Sequence, residues 1–98
     1  MNRMRIRDGV VLLEIQGTYL LVADKEARKV CRYVREVSET AGFLWKCMEQ
    51  GMTVEEMTSR LMMEYDIEDS SVPEEDIQLF IEQLQESGYL TVEERDDF

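Results

Sequence analysis

At Ser38 the apolar residues of this 98-residue chain stop recurring with a period of two and begin to recur with a period near 3.6. That change divides the chain into a β part and a helical part, because strands alternate their side chains and helices group theirs every three to four residues. Ahead of it, residues 10–15 and 19–23 are aliphatic and β-branched, with Gln16-Gly17-Thr18 between them as a turn signal, which predicts a hairpin. Residues 24–29 are polar and suit a loop or a single helical turn. A third strand is expected over roughly 32–37, with Tyr33, Arg35 and Val37 on one face and Arg32, Val34 and Glu36 on the other. Neither set is purely apolar, so this strand suits a sheet edge better than a centre.

Beyond the change, Ser38 is a plausible N-cap for a helix running to about residue 50, with Gly51 as its left-handed stop. Ala41, Phe43, Leu44, Trp45, Cys47 and Met48 spread over a wide arc, which requires packing on two sides and places this helix, with Trp45, in the core. Thr53-Val54-Glu55-Glu56 is a capping box that opens a second helix over about 54–65, with Val54, Met57, Leu61 and Tyr65 as its buried stripe. Ser71-Val72-Pro73-Glu74 is a second such box, with proline in the first turn where its missing N–H costs nothing. The helix it opens is expected to end at Gly88, with Tyr89 and Leu90 closing over the end. Ile77, Phe80, Ile81 and Leu84 form its core face. Leu79 projects to nearly the opposite side, near Val72, Asp76 and Gln83, and the core does not explain it. Residues 1–8 read as an N-terminal arm, 9–90 as the domain, and 91–98 as an acidic tail that frays.

Composition narrows the chemistry. The chain has no histidine, which excludes imidazole acid–base catalysis and His-paired nucleophiles within it. Cys31 and Cys47 are too few for a structural zinc site and too far apart for a CxxC redox motif, and they read as two buried thiols in a reducing compartment. No metal or other cofactor is expected. The apolar runs are far shorter than the roughly 20 residues of a membrane span, and the start lacks a signal-peptide pattern, so a cytoplasmic location is expected. The net charge is −11, divided as +3 over residues 1–37 and −14 over residues 38–98. Such a field opposes both nucleic acid and anionic membrane surfaces, and favours a basic partner.

Three antiparallel strands followed by three helices outline an α+β, winged helix-turn-helix-like fold. Its usual use is DNA binding, but the third helix opens with Glu74, Glu75 and Asp76 and contains no lysine or arginine. A sheet edge offers another use, since a peptide can add to it as a further strand. Arg28, Arg32 and Arg35 lie in or beside the strand that would offer that edge.

Val37-Ser38-Glu39-Thr40-Ala41, followed by Phe43-Leu44-Trp45, resembles the "LNETA" strand end and first helix of the PqqD-like family. These are the peptide chaperones of pyrroloquinoline quinone biosynthesis and the related recognition elements for ribosomally made, post-translationally modified peptides. Residues 52–56, then Glu64-Tyr65-Asp66-Ile67, then residues 76–90 resemble its later helices in order and spacing, so the resemblance covers roughly 9–90. Two departures stand out: Ser38 replaces the common Asn, and residues 24–32 are longer and more basic than in the shortest members. The resemblance implies a non-catalytic protein that binds a precursor's leader peptide and presents it to a modifying enzyme, often a radical S-adenosylmethionine maturase. It implies that the leader adds beside Arg32, Tyr33, Val34, Arg35 and Glu36, against a helix wall of Val72, Asp76, Leu79 and Gln83. Any iron–sulfur cluster would belong to the partner enzyme, and a homodimer stays open. The competing reading is a regulatory winged-helix interaction module that handles no precursor peptide.

Overall fold

The computed structural model describes residues 2–69 and 71–94, with side chains described for 5–69 and 73–91. Its elements run β1 (Asn2–Ile6), β2 (Val10–Ile15), β3 (Thr18–Ala23), a 3-10 turn (Ala27–Lys29), β4 (Val34–Val37), α1 (Glu39–Glu49), α2 (Val54–Tyr65), α3 (Ser71–Glu86) and β5 (Leu90–Glu94). β2, β3 and β4 form an antiparallel sheet in that order, with β3 at its centre. This is the expected winged-helix arrangement of three strands followed by three helices.

Local sequence sets most of these boundaries. Gln16 and Gly17 both adopt positive φ, at 51° and 81°, giving the two-residue turn that matches the twist of a hairpin. The Ser38 side chain accepts a hydrogen bond from the Ala41 N–H at 3.1 Å, which caps α1. Both halves of the Thr53–Glu56 capping box are present at 3.2 Å. α3 begins at Ser71; the Ser71 side chain, on which the second box depends, lies outside the described set.

The core forms between the inner face of the sheet and the helices. Leu21 and Ala23 of the sheet, Leu44, Trp45 and Cys47 of α1, Met57 and Leu61 of α2, and Ile77, Ile81 and Leu84 of α3 are all buried. Gly42 lets α1 approach the sheet closely, since a Cβ there would lie 2.6 Å from the Tyr19 ring. Tyr65, expected in the buried stripe, is 41% exposed and meets Phe43 edge to face with ring centroids 6.2 Å apart. The outer face of the sheet is open: Val11, Leu13, Ile15 and Val34 are exposed.

One departure from the sequence reading is topological. The arm and the tail form a second sheet, in which β1 pairs antiparallel with β5 from Asn2 opposite Glu94 to Ile6 opposite Leu90. The Arg7 N–H donates to the Tyr89 carbonyl at 3.0 Å, and the Thr91 hydroxyl to the Arg5 carbonyl at 3.3 Å. Ile6 packs on the core and Leu90 is buried within it, so apolar burial as well as the ladder holds this pair. Residues 95–98, the rest of the acidic stretch, lie outside the described set.

Candidate functional site: an open strand edge beside α3

β4 hydrogen-bonds to β3 on one side only, in a register that sets Tyr19 opposite Val37 and Val22 opposite Val34. In an antiparallel ladder, opposed residues alternate between exchanging both backbone bonds and exchanging none. The Ala23 N–H donates to the Tyr33 carbonyl at 2.8 Å, which fixes the phase of that alternation. The peptide groups of Tyr33, Arg35 and Val37 therefore face β3, and those of Val34 and Glu36 face outward. Among the described residues no strand covers that outer edge. The chain's own C-terminal strand pairs with β1 instead. The regular strand begins at Val34, two residues later than expected, yet the Tyr33 carbonyl still joins the ladder.

Two contacts fasten this edge to the end of α3. The Tyr89 hydroxyl donates to the Arg32 carbonyl at 3.1 Å, just ahead of the open stretch. Arg35 Nη1 donates to the Ser87 hydroxyl at 2.9 Å, and its guanidinium lies 5.8 Å from the centre of the Tyr89 ring. Ser87 belongs to the same helical row as Gln83, Leu79, Asp76 and Val72, spaced at four, four, three and four residues, so one helix face carries all five. Asp76, Leu79 and Gln83 are exposed, Leu79 at 54%. Among the described residues no hydrogen bond or ion pair ties these three to β4, and the bonds between the strand and the helix lie near the helix's C-terminal end. The Val72 side chain lies outside the described set.

The structure thus gathers Arg32, Tyr33, Val34, Arg35 and Glu36 along one edge and puts Asp76, Leu79 and Gln83 on the helix face that leads to it. Sequence reasoning did not single out Ser87 and Tyr89 as members of this site. Ser87 continues the four-residue row from Gln83, a signal available in the sequence, whereas the reach of the Tyr89 hydroxyl depends on how the helix end docks. Arg28 also joins the site, its guanidinium 4.5 Å from the centre of the exposed Tyr33 ring.

Among the described residues no three metal-ligating side chains converge, and no helix is long and apolar enough to cross a membrane. Cys31 and Cys47 are both buried, and the Cys31 thiol donates to the Ala27 carbonyl at 3.2 Å. Burial pushes both thiols above their ordinary 9.0 and the Tyr89 phenol above its ordinary 10.0. The folded state thus favours the neutral forms, and their contribution is complete below the ordinary values and lost as pH rises through the folded ones. The melting temperature is expected to fall as pH rises above 9.0, and replacing both cysteines with alanine should flatten that fall. Parallel melting curves against pH for the two proteins would remove the thiols from this account.

A small winged-helix domain with an uncovered sheet edge beside its last helix is the class of protein this geometry defines. The chain belongs to the PqqD family: the family model for coenzyme PQQ synthesis protein D matches residues 9–90. Two solved structures share the fold. TbiB1 in complex with the TbiA(beta) leader peptide is 22% identical, with a TM-score of 0.73 over 95% of this chain and 99% of that one. A lasso peptide synthetase B1 complexed with the leader peptide is 17% identical, with a TM-score of 0.74 over 91% of this chain and 98% of that one. No curated protein matches the chain.

Proposed function

We propose that this protein binds the leader segment of a ribosomally made precursor peptide as an added strand on β4 and presents it to a modifying enzyme. The observation that carries this reading is the pair of outward peptide groups at Val34 and Glu36, beside a helix face that exposes Leu79. Main-chain bonds to those groups supply affinity for an extended segment of almost any sequence, and side-chain contacts on either side supply selectivity. Membership of the PqqD family supports the reading, as do two structural neighbours that are complexes with leader peptides. The protein's role is binding rather than catalysis, and the partner is a radical S-adenosylmethionine maturase that brings its own cluster.

The leader is held by Arg32, Tyr33, Val34, Arg35 and Glu36 on the strand side and by Val72, Asp76, Leu79 and Gln83 on the helix side. Four strand bonds at about 0.5–1.5 kcal/mol each contribute about 2–6 kcal/mol, less than the roughly 8 kcal/mol of a micromolar complex even before the cost of association, so side-chain burial and charge pairing along the groove must supply the rest. Titration with a synthetic leader encoded beside the gene is expected to shift the backbone amide signals of residues 32–36. Unchanged signals at saturating peptide would reject the groove. Leu79→Arg is expected to weaken binding about tenfold or more while leaving the melting temperature near that of the parent, since Leu79 lies outside the core. Unaltered affinity would remove Leu79 from the site.

A further inference from the structure

The charge on the two sides of this groove is opposite in sign. Residues 25–35 hold five of the chain's eleven cations (Lys25, Arg28, Lys29, Arg32 and Arg35) against one carboxylate, Glu26. α3 holds five carboxylates and no cation. In a chain of net charge −11, a basic segment leading into the open edge is a local reversal of the overall field.

Two of the five cations are committed elsewhere. Lys29 pairs with Glu26 at 3.2 Å, and Arg35 is held by the Ser87 hydroxyl. Arg28 and Arg32 are both exposed and pair with no carboxylate among the described residues. Arg28 is stacked on Tyr33, which holds its guanidinium beside the start of β4, and the Arg32 carbonyl is anchored by Tyr89. Arg28 thus lies beside the start of β4, and Arg32 immediately precedes the two residues, Val34 and Glu36, to which an added segment would bond.

The carboxylates at the far end of the helix set the opposite condition. Twelve residues separate Glu75 from Ser87, about 18 Å of helix, or five to six residues of extended chain. A peptide that is acidic throughout would gain at Arg28 and Arg32 and be repelled by Asp76 on the groove face and by Glu75 at its margin, whereas Glu74 projects to the other side of the helix.

We propose that the leader this groove accepts is electrically polarised: its segment at Arg28 and Arg32 carries aspartate or glutamate, and its segment about five to six residues away, against the first turns of α3, carries none. This rests on the leader-binding reading above and adds the chemistry of the peptide. A guanidinium and a carboxylate meet there by charge-assisted hydrogen bonds, with the bidentate geometry that arginine favours. Repulsion along α3 then disfavours the reversed peptide, so the same charges fix the direction in which the leader lies.

The test uses fluorescence anisotropy with the labelled synthetic leader encoded beside the gene and a second peptide whose acidic residues are changed to lysine. Arg28→Glu/Arg32→Glu is expected to bind the native leader about 10- to 100-fold more weakly, and to recover affinity for the lysine-substituted peptide. Arg32→Glu alone keeps Arg28 on Tyr33 and is expected to show a smaller loss of the same sign. Raising salt from about 50 to about 500 mM should weaken binding of the native leader to the parent protein and strengthen what binding remains in the charge-reversed double variant, because screening there relieves a repulsion. Equal affinity of parent and double variant for the native leader, or no recovery with the lysine peptide, overturns the charge assignment. If in that case Val34→Pro still loses binding, strand addition stands and only the charge assignment falls. No binding of the leader to the parent protein overturns both.

Discussion

Val34→Pro is expected to weaken leader binding about tenfold to a hundredfold at an almost unchanged melting temperature, whereas Arg35→Pro is expected to lower the melting temperature. The two positions are adjacent, and the difference comes from the phase of the ladder. The Val34 N–H points away from β3, so proline there removes no bond within the protein, and an edge strand tolerates it. What it removes is a donor to the incoming strand, and its ring occupies the space that strand needs. The partner carbonyl of the guest is then buried unsatisfied at about 1–3 kcal/mol, and every 1.4 kcal/mol is a factor of ten in affinity. The Arg35 N–H faces the carbonyl of Leu21, whose residue has no exposed surface. Losing that donor strands a carbonyl that water does not reach, at a similar cost of about 1–3 kcal/mol, now charged to folding. Calorimetric titration and thermal melting of the two variants separate the outcomes. Parent-like binding by Val34→Pro would end the strand-addition account.

Tyr89→Ala is expected to destabilise the protein more than any change at the edge itself. Tyr89 has no exposed surface and connects three parts of the fold. Its N–H closes the end of α3 on the Leu84 carbonyl at 2.9 Å, its carbonyl accepts from Arg7 at 3.0 Å, and its hydroxyl holds Arg32. Truncating a buried aromatic costs about 3–5 kcal/mol, and in a domain of this size each kcal/mol lowers the melting temperature by about 4–8 °C. A fall of about 12 °C or more is expected. Tyr89→Phe keeps the ring and loses only the hydroxyl bond, about 1 kcal/mol, so its fall should be several times smaller. Equal melting temperatures for the two variants would show that the ring contributes little.

What the sequence made legible was local. Ser38 capping α1 and the Thr53–Glu56 box depend on residues three apart, and both were readable as spacing. The exposure of Leu79 followed from projecting one helix at 100° per residue, because Ile77, Ile81 and Leu84 had already claimed the other face. The β1–β5 sheet escaped notice although Arg3, Arg5 and Arg7 alternate with Met4 and Ile6, a period-two signal. Its partner lies more than eighty residues away, and two charged stretches at opposite ends reveal nothing about pairing until Ile6 and Leu90 meet the same core. The Arg35–Ser87 and Tyr89–Arg32 bonds were hidden for the same reason. They exist only because the end of α3 returns to the first third of the chain.

The pairing of positions 2 and 94 has a practical consequence for rewiring the molecule. Neighbouring strands bring those two backbones to within about 5 Å, so a short engineered bridge can splice them into a ring. Opening the ring between Gln16 and Gly17, both exposed, yields a circular permutant whose new ends contain no part of β4. Such a permutant lets a fluorophore or a fused enzyme hang from the hairpin tip with the guest strand's berth left vacant.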